Sequence, residues 1–173
     1  MISSRMQKAI NNQIQAEMYS ANLYLAMSGY TMAQNLKGFA NWLRVQYQEE
    51  TMHALKLVDY LLNRGGELEL KPIDAPPTEF GKPAELFEKV LAHEQDVTGL
   101  INKLYEVAVE EKDIATQIFL QWYVTEQVEE EASASEIIEQ LRMIGDKNSG
   151  IFFLDKELAQ RTFQPPAAEP SKN

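Results

Sequence analysis

The stretch GGELELKPIDAPPTEFGKP, residues 65–83, separates two long helical regions and limits how they can be arranged. Gly65-Gly66 supplies a stop for the helix before it, and Pro83 suits the first turn of the helix after it. Prolines interrupt its interior at Pro72, Pro76 and Pro77. Fully extended, the seventeen residues 66–82 span roughly 55 Å, enough to run the length of a helical bundle. The stretch is therefore predicted to be a long crossover connection.

Two long helices are predicted on each side of this connection, because apolar residues recur there at helical spacing. Each pair is joined by a short turn, which makes its two helices antiparallel. The predicted helices run from about Ser4 to Asn35, from Gly38 to Arg64, from Pro83 to Lys112, from Asp113 to Gly145 and, as a short C-terminal element, from Gly150 to Phe163. Hairpin, crossover and hairpin in this order predict an all-α four-helix bundle with one long crossover connection and a short fifth C-terminal helix.

The composition of the 173-residue chain favours one compact domain over residues 1–163, followed by a disordered Pro-rich tail at 164–173. The formal net charge is −10 without any basic cluster, so cations are expected as partners and neither nucleic acid nor a membrane is. Cysteine is absent, which excludes disulfides and thiolate metal sites. No apolar run resembles a signal peptide or a membrane span, so a cytoplasmic location is expected.

Each long helix carries one apolar seam, and every seam is interrupted near its middle by a polar group. The interrupting residues are Glu17 in the first helix, Glu50 and His53 in the second, Glu94 in the third, and Gln127 and Glu130 in the fourth. A buried carboxylate without a partner is too costly to be incidental. Bound cations would remove this cost, and oxygen-rich ligands with one imidazole favour iron or manganese. A pair of ions about 3.5–4 Å apart is the simplest occupant.

The two hairpins also place polar groups in matching registers, because an offset of 77 residues relates them. The offset pairs Glu17 with Glu94, Glu50 with Gln127, His53 with Glu130, and Glu49 with Glu126. We therefore predict a pseudo-two-fold axis through the centre of the bundle, with a further glutamate pair beside the first set.

Other interpretations of the seam residues stay open at this point. A single seam glutamate can snorkel to the surface or face a subunit junction. A structural or adaptor bundle would bind no metal and would have to keep several core glutamates protonated. A di-metal oxidase would need a pocket for an organic substrate beside the metals. The iron retained per subunit separates these classes of protein.

Two stretches, QEETMH at residues 48–53 and FLQWYVTEQVEEE at residues 119–131, resemble the bacterial non-haem ferritins. The likeness covers nearly the whole chain except the proline tail. It implies a ferritin-like fold, homo-oligomerisation into a cage of 24 subunits, and a ferroxidase activity. In that activity dioxygen or hydrogen peroxide oxidises Fe2+ to Fe3+, and the ferric mineral is stored inside the cage.

The resemblance further implies two irons at the ferroxidase centre, a third at an outer site, and a tyrosine that supplies an electron. The implied ligands of the first iron are Glu17, Glu50 and His53; those of the second are Glu50 as a bridge, Glu94 and Glu130, with Gln127 close by; those of the outer iron are Glu49, Glu126 and Glu129, with Glu130 shared. The tyrosine is Tyr24, two helical turns beyond Glu17.

Related di-iron families fit the sequence less well. Bacterioferritins carry a second Glu-x-x-His on the fourth helix, where this chain has Gln127-Val128-Glu129-Glu130, so no haem is expected. Rubrerythrin-like proteins bind iron through cysteine, and the small DNA-protecting cages build their iron site between subunits. The apolar start of the fifth helix, Ile151-Phe152-Phe153-Leu154, fits packing at a symmetry axis.

Overall fold

Five helices make up the protein in a computed structural model, which describes residues 1–145 and 148–164. They are α1 (Ser4–Ala33), α2 (Lys37–Asn63), α3 (Pro83–Glu110), α4 (Ile114–Ile144) and α5 (Asn148–Leu158). These ranges contain no strand, which confirms the predicted all-α bundle with one long crossover and a short fifth helix. None of the helices in the described ranges is long and apolar enough to cross a membrane. The predicted tail lies outside the described residues, except for the exposed Gln164.

The two hairpins turn in the same way. α1 packs along α2, α3 packs along α4, and α1 also contacts α3. Each hairpin turn contains one non-glycine residue with a positive φ, which is 61° at Asn35 and 55° at Lys112. The 77-residue offset that relates the seam residues also relates these two positions. The backbone of the turns therefore follows the same internal repeat as the polar seam residues.

The core consists of two apolar clusters with a polar level between them. The first cluster includes Leu23, Tyr24, Met27, Phe39, Trp42, Leu43, Phe87 and Val90. The second includes Met6, Ile10, Ile14, Leu57, Leu61, Leu104, Leu120 and Tyr123. Along α1, Glu17 lies between Ile14 of one cluster and Leu23 of the other, and Glu50 is bracketed in the same way along α2. The seam interruptions thus lie at mid-bundle, with apolar packing on both sides.

The crossover between α2 and α3 has no helix or strand, yet its backbone is bonded to one face of α1. Side-chain amides spaced four residues apart on α1 make these bonds, from Gln7, Asn11 and Gln15. The buried Asn11 uses both ends of its amide: it donates to the Glu67 carbonyl oxygen at 3.0 Å and accepts from the Glu69 N–H at 2.9 Å. These bonds hold the extended segment along the bundle because they satisfy backbone groups that no ladder partner satisfies.

The helix α5 caps the start of α2. Leu36, which precedes α2, makes no side-chain capping bond. Instead, Asp155 Oδ1 accepts hydrogen bonds from the backbone N–H groups of Gly38 at 2.7 Å and Phe39 at 3.1 Å. A Cβ atom at Gly38 would lie 1.5 Å from the carbonyl oxygen of Asp155. The close approach of α5 to α2 therefore requires glycine at this position.

The helix α5 begins at Asn148 and ends at Leu158, so the prediction that it extends from Gly150 to Phe163 is wrong. It ends early because Asn41 on α2 binds carbonyl groups that a longer helix would use itself. The Asn41 Nδ2 atom donates to the carbonyl oxygens of Leu158 at 3.2 Å and Arg161 at 2.9 Å. The chain after α5 is consequently held against α2.

The substitution Gly38→Ala should destabilise the protein by about 1–3 kcal/mol, because the added methyl group forces α5 away from α2. Gly29→Ala in α1 is the matched control, since nothing lies within 4 Å of its added Cβ atom. This control should leave stability unchanged or raise it by up to about 1 kcal/mol. Thermal unfolding followed by circular dichroism measures both effects, and an equal response from the two variants would contradict the close approach.

Candidate metal centre

Glu17, Glu50 and His53 converge at the middle of the bundle from α1 and α2. One ligand atom from each residue lies within 4.8 Å of the other two, and the residues are 1%, 1% and 2% exposed. Both carboxylate oxygens of Glu50 and the Oε2 atom of Glu17 are buried without a hydrogen-bond partner. Orphaned carboxylate oxygens in the core are costly. The arrangement therefore fits a cation that would complete their coordination.

Glu94 and Glu130 reach the same level of the bundle from α3 and α4, but hydrogen bonds hold them. Glu94 accepts from the Tyr24 hydroxyl and from the Gln127 Nε2 atom, the latter at 3.2 Å. Glu130 accepts from the Gln46 Nε2 atom at 2.8 Å. Within the described ranges, neither glutamate belongs to the compact three-residue group of ligand atoms. The two halves of the centre thus differ, because one has orphaned oxygens and the other has partnered ones.

Burial and repulsion between neighbouring glutamates raise the pKa values of Glu50 and Glu94. The pKa of Glu50 is raised well above its ordinary value, mainly by burial and further by repulsion from neighbouring glutamates. Burial, followed by repulsion from Glu130, raises the pKa of Glu94 to about 8 despite opposing hydrogen bonds. Burial also lowers the pKa of His53. The imidazole of His53 is therefore neutral at neutral pH and has a lone pair free for a metal ion.

Tyr24 lies beside Glu94 and is fully buried. Burial raises the pKa of its hydroxyl group well above the usual value, so the group stays protonated and donates to the carboxylate. Its ring packs edge-on against His93, with ring centroids 5.9 Å apart. The Nε2 atom of His93 lies 2.8 Å from the Oγ atom of Ser20. Tyr24 thus contacts the α3 side of the centre, whereas Glu17 on its own helix contributes to the other side.

The three other predicted ligands, Glu49, Glu126 and Glu129, line a pocket of about 360 Å³ together with Arg161, and His53 and Glu130 of the mid-bundle level also line it. Glu49 and Glu126 are half-buried and Glu129 is exposed. Burial raises the pKa of Glu49 to about 7, and the nearby Arg161 opposes that rise. The predicted ligands therefore form a buried inner group and an outer group that lines the pocket, and His53 and Glu130 lie where the two adjoin.

Sequence patterns do not identify three polar residues that hold these carboxylates. The contacts are Gln13 Nε2 to Glu17 Oε1 at 2.9 Å, Gln46 Nε2 to Glu130 Oε2 at 2.8 Å, and Arg161 Nη2 to Glu49 Oε2 at 2.7 Å. Both glutamines precede a seam glutamate by one helical turn, which is a usable signal for them. Arg161 has no such signal, because it is far from Glu49 in sequence and is predicted to lie inside the fifth helix.

A four-helix bundle with a carboxylate-and-histidine cluster at its centre places the protein in the class of ferritin-like helical bundles. Residues 7–144 match the model of the ferritin-like domain, and the chain belongs to the ferritin family of iron-storage proteins. The predicted resemblance to the bacterial non-haem ferritins is therefore confirmed.

Individual relatives match over almost their full length. The bacterial non-heme ferritin of Bacteroides fragilis (strain 638R) is 49% identical over 161 residues, which cover 93% of this chain and 100% of the relative. That of Staphylococcus haemolyticus (strain JCSC1435) is 42% identical over 163 residues, covering 94% and 98%. A solved structure, described as a novel open pore ferritin from the hyperthermophilic archaeon Archaeoglobus fulgidus, is 53% identical with a TM-score of 0.93, covering 94% of this chain and 100% of that one.

The raised pKa values predict that the metal-free protein becomes less stable as pH rises. A carboxyl group with a pKa of about 8 when folded and 4.5 when unfolded binds more protons in the folded state between these values. The free energy of unfolding should therefore be highest below pH 4.5 for this group and fall until pH passes about 8. Glu94→Gln should make the fall smaller, because it removes one of the titrating groups.

Thermal unfolding of chelator-treated protein at about pH 5 and about pH 8 measures this dependence. Glu88→Gln, at an exposed position on α3, is the control and should keep the pH dependence of the parent. A parent protein with the same Tm at both pH values would contradict the prediction.

Proposed function

We propose that this protein oxidises Fe2+ at a di-iron centre within each subunit and stores the ferric product as mineral inside a cage of 24 subunits. The observation that carries the proposal is the set of orphaned carboxylate oxygens on Glu17 and Glu50, buried beside the neutral imidazole of His53 in a chain of the ferritin family. Ferrous ions are the substrate, and their binding compensates the negative charge that the fold buries.

The ligands divide between the two halves of the bundle. The proposed ligands are Glu17, Glu50 and His53 for the first ion; Glu50 as a bridge, Glu94 and Glu130 for the second, with Gln127 close by; and Glu49, Glu126 and Glu129 for a third ion at the outer site. The first ion has the better-prepared half, since its ligand atoms already converge, and Glu17 Oε2 and both oxygens of Glu50 have no hydrogen-bond partner. The second ion has to take Glu94 from its hydrogen bonds with Tyr24 and Gln127.

The proposed reaction moves one electron from each of two Fe2+ ions to dioxygen. Dioxygen takes up two electrons and two protons and leaves as hydrogen peroxide, which can itself serve as an oxidant for further Fe2+. Carboxylate oxygens are hard ligands and favour the ferric state, so the site lowers the barrier to oxidation. Tyr24, whose hydroxyl group donates to Glu94, is the proposed source of one electron and one proton for a further step. In that step a third Fe2+ supplies the second electron, and hydrogen peroxide is reduced to water.

Exposed apolar side chains support assembly of the chain into a homo-oligomer. Several on α4 and α5 are more than half exposed: Ile114 at 68%, Ile118 at 63%, Met143 at 78%, Phe152 at 57% and Phe153 at 70%. Apolar surface of this kind marks protein–protein interfaces. The number of 24 subunits and the cytoplasmic location rest on the resemblance to bacterial non-haem ferritins. One relative is described as an open pore ferritin, so particle shape belongs in the test as well as mass.

The test of the proposed function is anaerobic loading of the purified protein with Fe2+, followed by air, while ferric absorbance, particle mass and particle shape are recorded. Iron is raised well past about two ions per chain, the capacity of a two-metal site. Continued uptake into one large particle supports iron storage. Uptake that stops at about two ions per chain would show a di-iron oxidase instead, and absence of oxidation would contradict the ferroxidase activity.

Glu17→Ala and His53→Ala should each slow the initial oxidation of Fe2+ by more than about tenfold, because each removes a ligand of the first ion. Stopped-flow absorbance at two ferrous ions per subunit measures the rate. Glu88→Ala, at an exposed position on α3, should oxidise iron like the parent. Particle mass and helicity show whether each variant still assembles. A parental rate in either ligand variant would contradict the assignment of that residue.

Glu129→Ala should leave the fast oxidation of the first two ferrous ions intact, because Glu129 is exposed and lies in the outer pocket. The substitution should instead change the oxygen consumed per iron when Fe2+ is added repeatedly. An oxygen electrode combined with stopped-flow absorbance separates the two effects. A first phase as slow as that of Glu17→Ala would place Glu129 at the inner centre and contradict the division into two sites.

A further inference from the structure

Arg161 holds one of the proposed outer ligands. It lies just after the end of α5, and its Nη2 atom is 2.7 Å from the Oε2 atom of Glu49. Both side chains are largely shielded from water, with exposures of 23% and 20%. The guanidinium group also stacks over the ring of Trp42, with its Cζ atom 4.3 Å from the ring centroid. Stacking and ion pairing together fix the guanidinium group in one position.

The backbone that carries Arg161 is fixed to α2 as well. The Asn41 Nδ2 atom donates to the carbonyl oxygens of Leu158 and Arg161 at 3.2 Å and 2.9 Å. We call residues 159–164 the C-terminal strap. The strap starts at the last turn of α5, and α5 is bonded to the start of α2, so the chain that leads to Arg161 is anchored on α2 before Arg161 reaches Glu49.

The guanidinium group of Arg161 lies among the carboxylates of the proposed outer site. It lines the pocket of about 360 Å³ that also contains Glu49, Glu126, Glu129 and Glu130. Of the pocket-lining side chains in the described ranges, that of Arg161 alone carries a fixed positive charge. An arginine stays protonated at every physiological pH, so its positive charge remains in the pocket. A cation that binds the Glu49 carboxylate therefore has to compete with the guanidinium group.

We propose that Arg161 is the built-in counter-ion of the outer site, which an incoming metal cation must displace from Glu49. This inference rests on the outer site of the proposed function. Cation binding at Glu49, Glu126 and Glu129 and docking of the C-terminal strap are therefore antagonistic, and by linkage each weakens the other to the same extent. Arg161 is a positioning residue for Glu49, and it keeps the outer site weak enough for a cation to leave again.

The test is a calorimetric titration of the intact assembled protein with Zn2+, which does not change oxidation state. In Arg161→Gln, the weak outer binding step should tighten by about fivefold or more, whereas the tighter inner steps should not change. Arg142→Gln is the matched control, because Arg142 pairs with Glu139 on the exposed face of α4, far from the pocket-lining residues. This control should bind Zn2+ like the parent. Arg161→Lys keeps the charge and should tighten the outer step less.

Hydrogen exchange of the strap provides a second measurement. If Arg161 had only a structural role, Zn2+ would not change this exchange. Saturating Zn2+ should speed amide exchange in residues 159–164 of the parent. In Glu49→Gln the exchange should be fast with or without Zn2+, because the ion pair is already absent. If instead Zn2+ slows exchange in the parent strap, the cation and Arg161 bind together and the proposal is wrong.

An outer step that is unchanged, weakened or missing in Arg161→Gln would also overturn the proposal. Failure of the proposed inner centre gives a different result, namely loss of the tight steps in every protein, the parent included. A tightened outer step in Arg161→Gln would support the role of Arg161 even then. If Arg161→Gln does not assemble, Arg161→Lys is compared with the parent instead. A tighter outer step in Arg161→Lys would support the proposal, and an unchanged or weaker one would overturn it.

Discussion

The burial of unpaired carboxylate oxygens at the centre of the bundle is the constraint on which the rest of the structure depends. Glu50 keeps both oxygens without a hydrogen-bond partner at 1% exposure, which is costly unless a proton or a metal ion compensates the charge. Two apolar clusters hold this level of the bundle closed, one on each side. Neither cluster offers a polar group to Glu50, so the packing that stabilises the fold also keeps the ligand ready for a cation.

The internal repeat relates the two hairpins of the bundle to each other, whereas the polar residues at its centre differ between the hairpins. Asn35 and Lys112, which the 77-residue offset relates, both have a positive φ in their hairpin turns. At the centre, the same offset relates Glu50 to Gln127 and His53 to a glutamate. Gln127 donates a hydrogen bond to Glu94, whereas Glu50 donates none and receives none. This difference leaves both carboxylate oxygens of Glu50 without a partner in one half of the centre, whereas hydrogen bonds hold Glu94 in the other half.

The C-terminal part of the chain is connected to both the fold and the outer pocket. Asp155 satisfies the first backbone N–H groups of α2, and Arg161, six residues later, pairs with Glu49 further along the same helix. One short element therefore fixes the start of α2 and occupies a carboxylate at its middle. Any change in how α5 packs, including contact with another subunit, is expected to reach the outer pocket through these two side chains, since they are joined by less than two turns of chain.

The sequence by itself determined the bundle and the inner centre. Glycine and proline residues mark the crossover, and apolar residues recur at helical spacing elsewhere. Both signals are local in the chain, so the sequence specifies the order hairpin, crossover, hairpin. The inward positions of the seam glutamates and His53 could be predicted for the same reason, because a residue on the buried face of a helix must point into the core. Only the tertiary structure decided that Gln46 bonds to Glu130, that Asn41 ends α5 at Leu158, and that Arg161 reaches Glu49. These contacts join residues between 80 and 120 positions apart. The local sequence pattern does not encode which helix surfaces meet over such separations. The packing of whole helices sets the geometry of these contacts.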